Sequence, residues 1–359
     1  MTVAVAMTVV GATLTGVGAA GAAPPMPSVV SIGLPRSSGL AQPVAQETGV
    51  GDINDTVRRF GVVGTDLGVT WDDGHGGVLA AFGDTANFDG RSLLRGELYG
   101  FRSNVLLRST DRNLADGMRF DSGVMAAPGL AKQVLVPDYR REITVLPTGG
   151  IAANGRQYMT YMAVKSWGGP GEWVTDRAGV AYSDDDGQNW VRPPDAIRPN
   201  VGGNSNFQMS ALLKVGDTVY VYGTPSGRFG AVRLARVAAS KLTDLGAYEY
   251  FSNGKWVKGD VNAATPIIGA PTGEMSVAYN AYLGKYVSLA TTNTIVARTA
   301  PSPEGPWSPP RSLINAAEIN SAYAPFIHPW SNGKDLYFTA SLFQIYNVLL
   351  WKVPLDALR

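Results

Sequence analysis

The sequence predicts an all-β, single-domain chain folded as a five-bladed β-propeller, and three observations carry that expectation. A strand–turn–strand pattern occurs five times, the copies are spaced near 60 residues, and no helical heptad runs through the region that holds them. A period of that size suits one four-stranded sheet with its loops, which is one blade. A β-sandwich or parallel β-helix of similar length is the competing architecture.

The copies can be read in order. The first runs from Thr65 to Trp71, turns through Asp72-Asp73-Gly74, and returns over Val78 to Phe82 into Gly83-Asp84-Thr85. The second spans Glu142 to Leu146 and Gly149-Gly150, turns at Asn154-Gly155, and returns over Gln157 to Ala163. Asn206 to Lys214, a Gly216-Asp217 turn and Val219 to Tyr222 form the third; Gly273 to Tyr279 with Tyr286 to Thr291 form the fourth. The fifth is expected to open at Phe326-Ile327-His328-Pro329-Trp330, turn at Asn332-Gly333-Lys334 and return over Leu336 to Ser341. Asn-Gly and Gly-Asp between alternating apolar runs are hairpin signals, because such turns need positive φ. Gln208 to Glu274 spans 66 residues and Glu274 to His328 spans 54, which sets the period. Ser183 to Trp190 fits the Asp-box pattern, in which Ser and Asp tie down a turn while Trp packs beneath; the expected role is structural.

Composition bounds what such a chain does. Of 359 residues, 45% are hydrophobic and 16% charged, enough apolar material for a large core. Lys+Arg 30 against Asp+Glu 29 leaves a net charge of +1, so no field exists to hold nucleic acid. Cysteine is absent, which removes disulfides, thiolate nucleophiles and zinc–cysteine sites. With His75 and His328 the only histidines, no His-based metal cluster is expected, and no cofactor motif is present. Residues 1–23 are small, apolar and uncharged, and Ala20-Gly21-Ala22 resembles a signal-peptidase site. Although the positive n-region is missing, a cleaved export signal is expected, with the product secreted or held in the cell envelope without stable membrane insertion. Residues 24–54 read as a linker that holds one possible closing strand, and 55–359 as the propeller, working as a monomer.

Candidate chemistry follows from the topology. An inner hairpin begins and ends at one rim, so Asp66 and Asp84, 18 residues apart, fall together at the channel mouth. Glycoside cleavage needs two carboxyl groups, one protonating the leaving oxygen and one acting as nucleophile or base. Asp is also common at strand ends for turn reasons, so this pairing alone does not make the residues catalytic. Gln208, Glu274 and His328 are expected to open later inner strands at the same mouth, with Glu274 as a reserve acid. Arg102 and Asn104 follow Asp84 on the next strand, and Trp167 offers a flat face for sugar stacking. These six are the candidate substrate-binding residues.

The runs GTDLGVTWDDG (64–74), AFGDT (81–85), FRSNVLLRSTD (101–111), SWGGPGEW (166–173), AYSDDDGQNW (181–190), GTPSGRFG (223–230), RTAPSPEGPW (298–307) and FIHPWSNG (326–333) resemble the actinobacterial endo-D-arabinanase glycoside hydrolase family, long filed as a domain of unknown function. The resemblance covers about residue 55 to the C-terminus. It implies a five-bladed propeller that cuts D-arabinofuranosyl linkages in the arabinan of mycobacterial arabinogalactan and lipoarabinomannan. It also implies that the paired catalytic aspartates are Asp66 and Asp84, with a cell-wall polysaccharide as the partner. Two rival readings are a non-catalytic carbohydrate-binding propeller and a propeller glycosidase of other specificity. Which aspartate is the acid, and whether cleavage retains or inverts, stay open at this stage.

Overall fold

In the computed structural model, which describes residues 33–86 and 100–359, the strands form five antiparallel blades around one channel. The innermost strands are Leu67–Asp72, Thr144–Ala153, Met209–Val215, Met275–Asn280 and Ala322–Ile327. Each packs on the next and the last packs on the first, so the ring closes. The third blade is the largest, extended to six strands by Lys255–Lys258 and Pro266–Thr272. Among the described residues the one α-helix is the five-residue Thr56–Phe60, and no helix is long and apolar enough to cross a membrane.

Closure is made by distant parts of the chain. Gln42–Gln46 pairs antiparallel with the C-terminal strand Asn347–Pro354, with Gln42 opposite Lys352 and Gln46 opposite Leu349. It thereby becomes the outer strand of the fifth blade. The proposed signal segment 1–23 and the first part of the expected linker, 24–32, lie outside the described residues.

The core lies between neighbouring blades rather than in the channel alone. Trp71, at the end of the first inner strand, is buried against the second blade and donates its indole N–H to Gln157 Oε1 at 3.0 Å. A Cβ placed on Gly150 would lie 2.1 Å from the Trp71 ring, so only glycine fits there. Removing an aromatic side chain from such a site costs about 3–5 kcal/mol. The Asp box supports the same contact from outside: Ser183 Oγ accepts from the Gly187 N–H, and Asp185 accepts from the Asn189 N–H. Trp190 meets the edge of Trp71 with ring centroids 6.5 Å apart.

One hairpin differs from the sequence expectation. The fifth inner strand occupies Ala322–Ile327, so FIHPW ends it instead of opening it. Pro325 lies inside this strand, at an irregularity between Tyr323 and Phe326 where Ala324 takes φ 55°. A proline in an apolar run reads as a strand breaker, yet a bulge accommodates it because no ladder N–H is needed there.

Candidate active site

Strand direction decides which residues share the mouth. The first inner strand starts at Leu67 and its partner ends at Phe82, opposite Leu67, so Asp66 and Asp84 leave the hairpin at the same rim. Beyond the paired strands the hairpin stays zipped: Gly83 N–H donates to Asp66 O at 3.0 Å, and Gly64 bridges Ala86. The Thr65 and Thr85 hydroxyls meet at 2.6 Å. Alternation along extended chain then turns their neighbours Asp66 and Asp84 to the other face, together. Gly83 makes room for this, since a Cβ there would stand 2.3 Å from Asp66 Oδ1.

Both carboxyl groups are perturbed, to different degrees. Burial pushes Asp66 up to about 7, and the negative charge of Glu274 adds to the rise. The Tyr323 hydroxyl, donating to Asp66 Oδ2 at 2.8 Å, opposes it, as do Arg228 and Tyr346. Burial also carries Asp84 well above its ordinary value, and the charge of Asp66 carries it further; the Thr144 hydroxyl, donating to Oδ1, opposes the rise. Two coupled carboxyl groups share protons in steps that belong to the pair. The cationic and hydroxyl support falls on Asp66.

Four side chains from three other blades complete the mouth. Arg228, in a third-blade loop, clasps Glu274 of the fourth, with Nη2 donating to Oε1 at 2.7 Å and Nε to Oε2 at 3.0 Å. The guanidinium lies 4.8 Å from the ring centroid of Tyr323 and 5.6 Å from that of Trp173. Burial works against the charge on Arg228, but Glu274 outweighs it and holds the group charged. Tyr346, from the fifth blade, is buried against both aspartates. Next to Glu274 lies a small cavity lined by Leu67, Met162, Met209, Met275 and Phe326 together with the Thr148 and Ser210 hydroxyls.

The structure divides the sequence candidates. Asp66, Asp84 and Glu274 come together, although Glu274 is the buried counter-ion of Arg228 and no free reserve acid. Trp167 is half-buried against the buried Trp173, with ring centroids 6.1 Å apart, and Trp173 packs in turn beside Arg228. Gln208 does open its inner strand at this rim, but it is fully buried and accepts from the Thr175 hydroxyl at 2.6 Å.

Arg102 and Asn104 are turned to the backbone. Arg102 donates to the carbonyls of Phe60, Gly61, Gly100 and Ala131, and burial draws its guanidinium down to about 10. Asn104 spans Val134, Leu135 and Val145. His328 is the clear correction. Because the fifth strand ends at Ile327, His328 stands at the opposite rim, beside Trp330, which binds Asp72 in the distal turn. Burial holds its imidazole down to about 4.

Tyr323, Arg228, Tyr346 and Thr144 were not anticipated. Arg228 stood in the GTPSGRFG run without a signal of its own, and Tyr323 was hidden by the proline two residues on. Among the described residues no cluster of His, Asp and Glu could hold a metal ion.

Comparisons with known proteins follow the architecture. The family model described as Domain of unknown function (DUF4185) matches residues 51–352. Notoamide biosynthesis cluster protein J' of Aspergillus versicolor is 33% identical over 328 residues, spanning 86% of this chain and 88% of its own length. Protein J of the same name from Aspergillus sp. (strain MF297-2) is 32% identical over 315 residues, spanning 81% and 83%. Among solved structures, an exo-beta-1,3-galactanase from Phanerochaete chrysosporium superposes with TM-score 0.52 at 11% identity, over 88% of this chain and 64% of that one. At that identity the likeness is one of fold.

Proposed function

This chain belongs to the DUF4185 family, and from that membership and its paired acids we propose that it is a glycoside hydrolase. The observation that carries the reading is the pair Asp66 and Asp84, brought together at one rim of the propeller. A neutral carboxyl beside an ionised one is what glycosidic cleavage requires. The neutral group gives its proton to the glycosidic oxygen as the bond to the anomeric carbon breaks. The ionised group attacks that carbon or takes a proton from the attacking water. A fold shared with a galactanase is consistent with this chemistry.

The finer proposal is endo-acting cleavage of D-arabinofuranosyl linkages in mycobacterial cell-wall arabinan by an exported enzyme. It rests on the motif runs and on the half-buried Trp167, which packs against Trp173 beside Arg228. Incubation with purified arabinogalactan, followed by oligosaccharide analysis, tests it. Release of short arabinan fragments is expected; an intact polymer refutes the D-arabinan assignment. Sequencing the N-terminus of the secreted protein tests export, with Ala23 the expected first residue.

Kinship with two fungal proteins named for a biosynthesis cluster supports a second reading, in which the same acids work on a small molecule. An intact polymer together with turnover of a soluble aryl glycoside would favour that reading.

A further inference from the structure

We infer that Tyr323 is a positioning residue for the acid pair: braced by the Arg228–Glu274 ion pair, its hydroxyl fixes Asp66 as the ionised partner and leaves Asp84 as the proton carrier. This rests on the glycosidase reading for its catalytic meaning, but the arrangement itself stands on contacts between four blades.

The hydroxyl lies 2.8 Å from Asp66 Oδ2 and comes from the fifth blade, while Asp66 belongs to the first. A hydroxyl that donates to a carboxylate favours the ionised form. The donor needs a fixed ring, and the ring is fixed on its face. Arg228 stands 4.8 Å from its centroid, within the range of a cation–π contact, and Arg228 is itself held at two points by Glu274. The residues therefore form a chain from Glu274 through Arg228 and Tyr323 to Asp66.

Asp66 is met by charged or titratable groups on every side. Asp84 faces it from its own hairpin, Arg228 from the third blade and Glu274 from the fourth; Tyr323 and Tyr346 face it from the fifth. Among the described residues, Asp84 faces Asp66 and the Thr144 hydroxyl, with Tyr346 nearby and no cation perturbing it. The asymmetry between the two acids is built from these neighbours.

A tyrosine that only satisfies a buried carboxylate would produce the same contact, so the test reads titration. Tyr323→Phe keeps the ring and removes the donor. The acidic limb of the kcat/KM profile should then rise by about one pH unit, the size of one hydrogen bond to a charged group. That rise supports the inference, and an unmoved limb in Tyr323→Phe at unchanged melting temperature overturns it.

Carbon-13 NMR titration of the aspartate carboxyls in the full chain gives a readout independent of turnover. Asp66 should ionise before Asp84 in the wild type, and the gap should narrow in Tyr323→Phe. If no glycoside is cleaved yet the order holds, the function fails and the positioning role stands. If Asp84 ionises first, the positioning role fails whatever the activity.

Discussion

Replacing Asp66 by asparagine should kill turnover and stabilise the protein, and both effects follow from one feature. The aspartate is buried, and burial lifts its carboxyl from 3.8 to about 7. A carboxyl raised on folding favours the native state below its unfolded value, and that contribution is lost as pH climbs through the folded value. The interval is a little over three units, and each unit is worth about 1.4 kcal/mol. At pH 8 the ionised side chain therefore costs up to about 4 kcal/mol. The asparagine variant escapes that cost while keeping an oxygen for the Tyr323 hydroxyl.

At about 2.1 cal/mol/K per residue over roughly 300 ordered residues, 1 kcal/mol moves the midpoint by about 1.5 °C. A rise of about 3–6 °C at pH 8 is expected, shrinking toward zero at pH 4. Scanning calorimetry across that range measures it. Turnover should fall by at least ~10² in the same preparation. A variant less stable than wild type at pH 8, or a gain equal at pH 4 and pH 8, would refute the reasoning.

Three further expectations come from other parts of the fold. Glu47, buried at the end of the closing strand, is raised from 4.5 to about 8 by burial, so its contribution to stability is lost between those values; Glu47→Gln should raise the urea midpoint at pH 9 by the equivalent of about 2–4 kcal/mol and leave it unchanged at pH 4. Gly83→Ala places a methyl 2.3 Å from Asp66 Oδ1 and should cost at least about tenfold in turnover and about 1–3 kcal/mol in stability; wild-type rates would show that the carboxylate has room to move. His328→Gln changes the rim remote from the acids, and turnover within about twofold of wild type is expected, while a loss near 10² would return that rim to the chemistry.

The legible parts of the molecule were those written in local patterning. Asn154-Gly155 and Gly216-Asp217 announce hairpins because the chain needs positive φ at those turns, and Asn154, Gly155 and Gly216 have it. Asp66 and Asp84 could be paired before any coordinates because a hairpin returns its ends to one rim. The bracing residues were not legible, because contacts between blades carry no sequence period. Tyr323 meets Asp66 across 257 positions. Arg102 and Asn104 follow the acid hairpin as substrate-binding residues would, but their donors serve carbonyls of neighbouring loops, which sequence spacing cannot show. His328 failed for a nameable reason: Pro325 disguised a strand, which starts four residues before the expected Phe326 and ends at Ile327.

The pairing of Gln42–Gln46 with Asn347–Pro354 has a consequence for how the molecule is born and how it comes apart. Until the last strand has been synthesised, the earlier strand has nothing to join, and the final blade keeps a bare edge. Such a seam between sequence-distant segments slows assembly, because the chain entropy of a loop about 300 residues long is lost before the contact rewards it. Once zipped, the same seam is a latch. The C-terminal strand lies between Gln42–Gln46 and Asp335–Leu342, so it cannot leave the sheet without breaking two ladders. Slow formation and slow release are two faces of one clasp, and resistance to proteases should depend on that strand more than on any one blade.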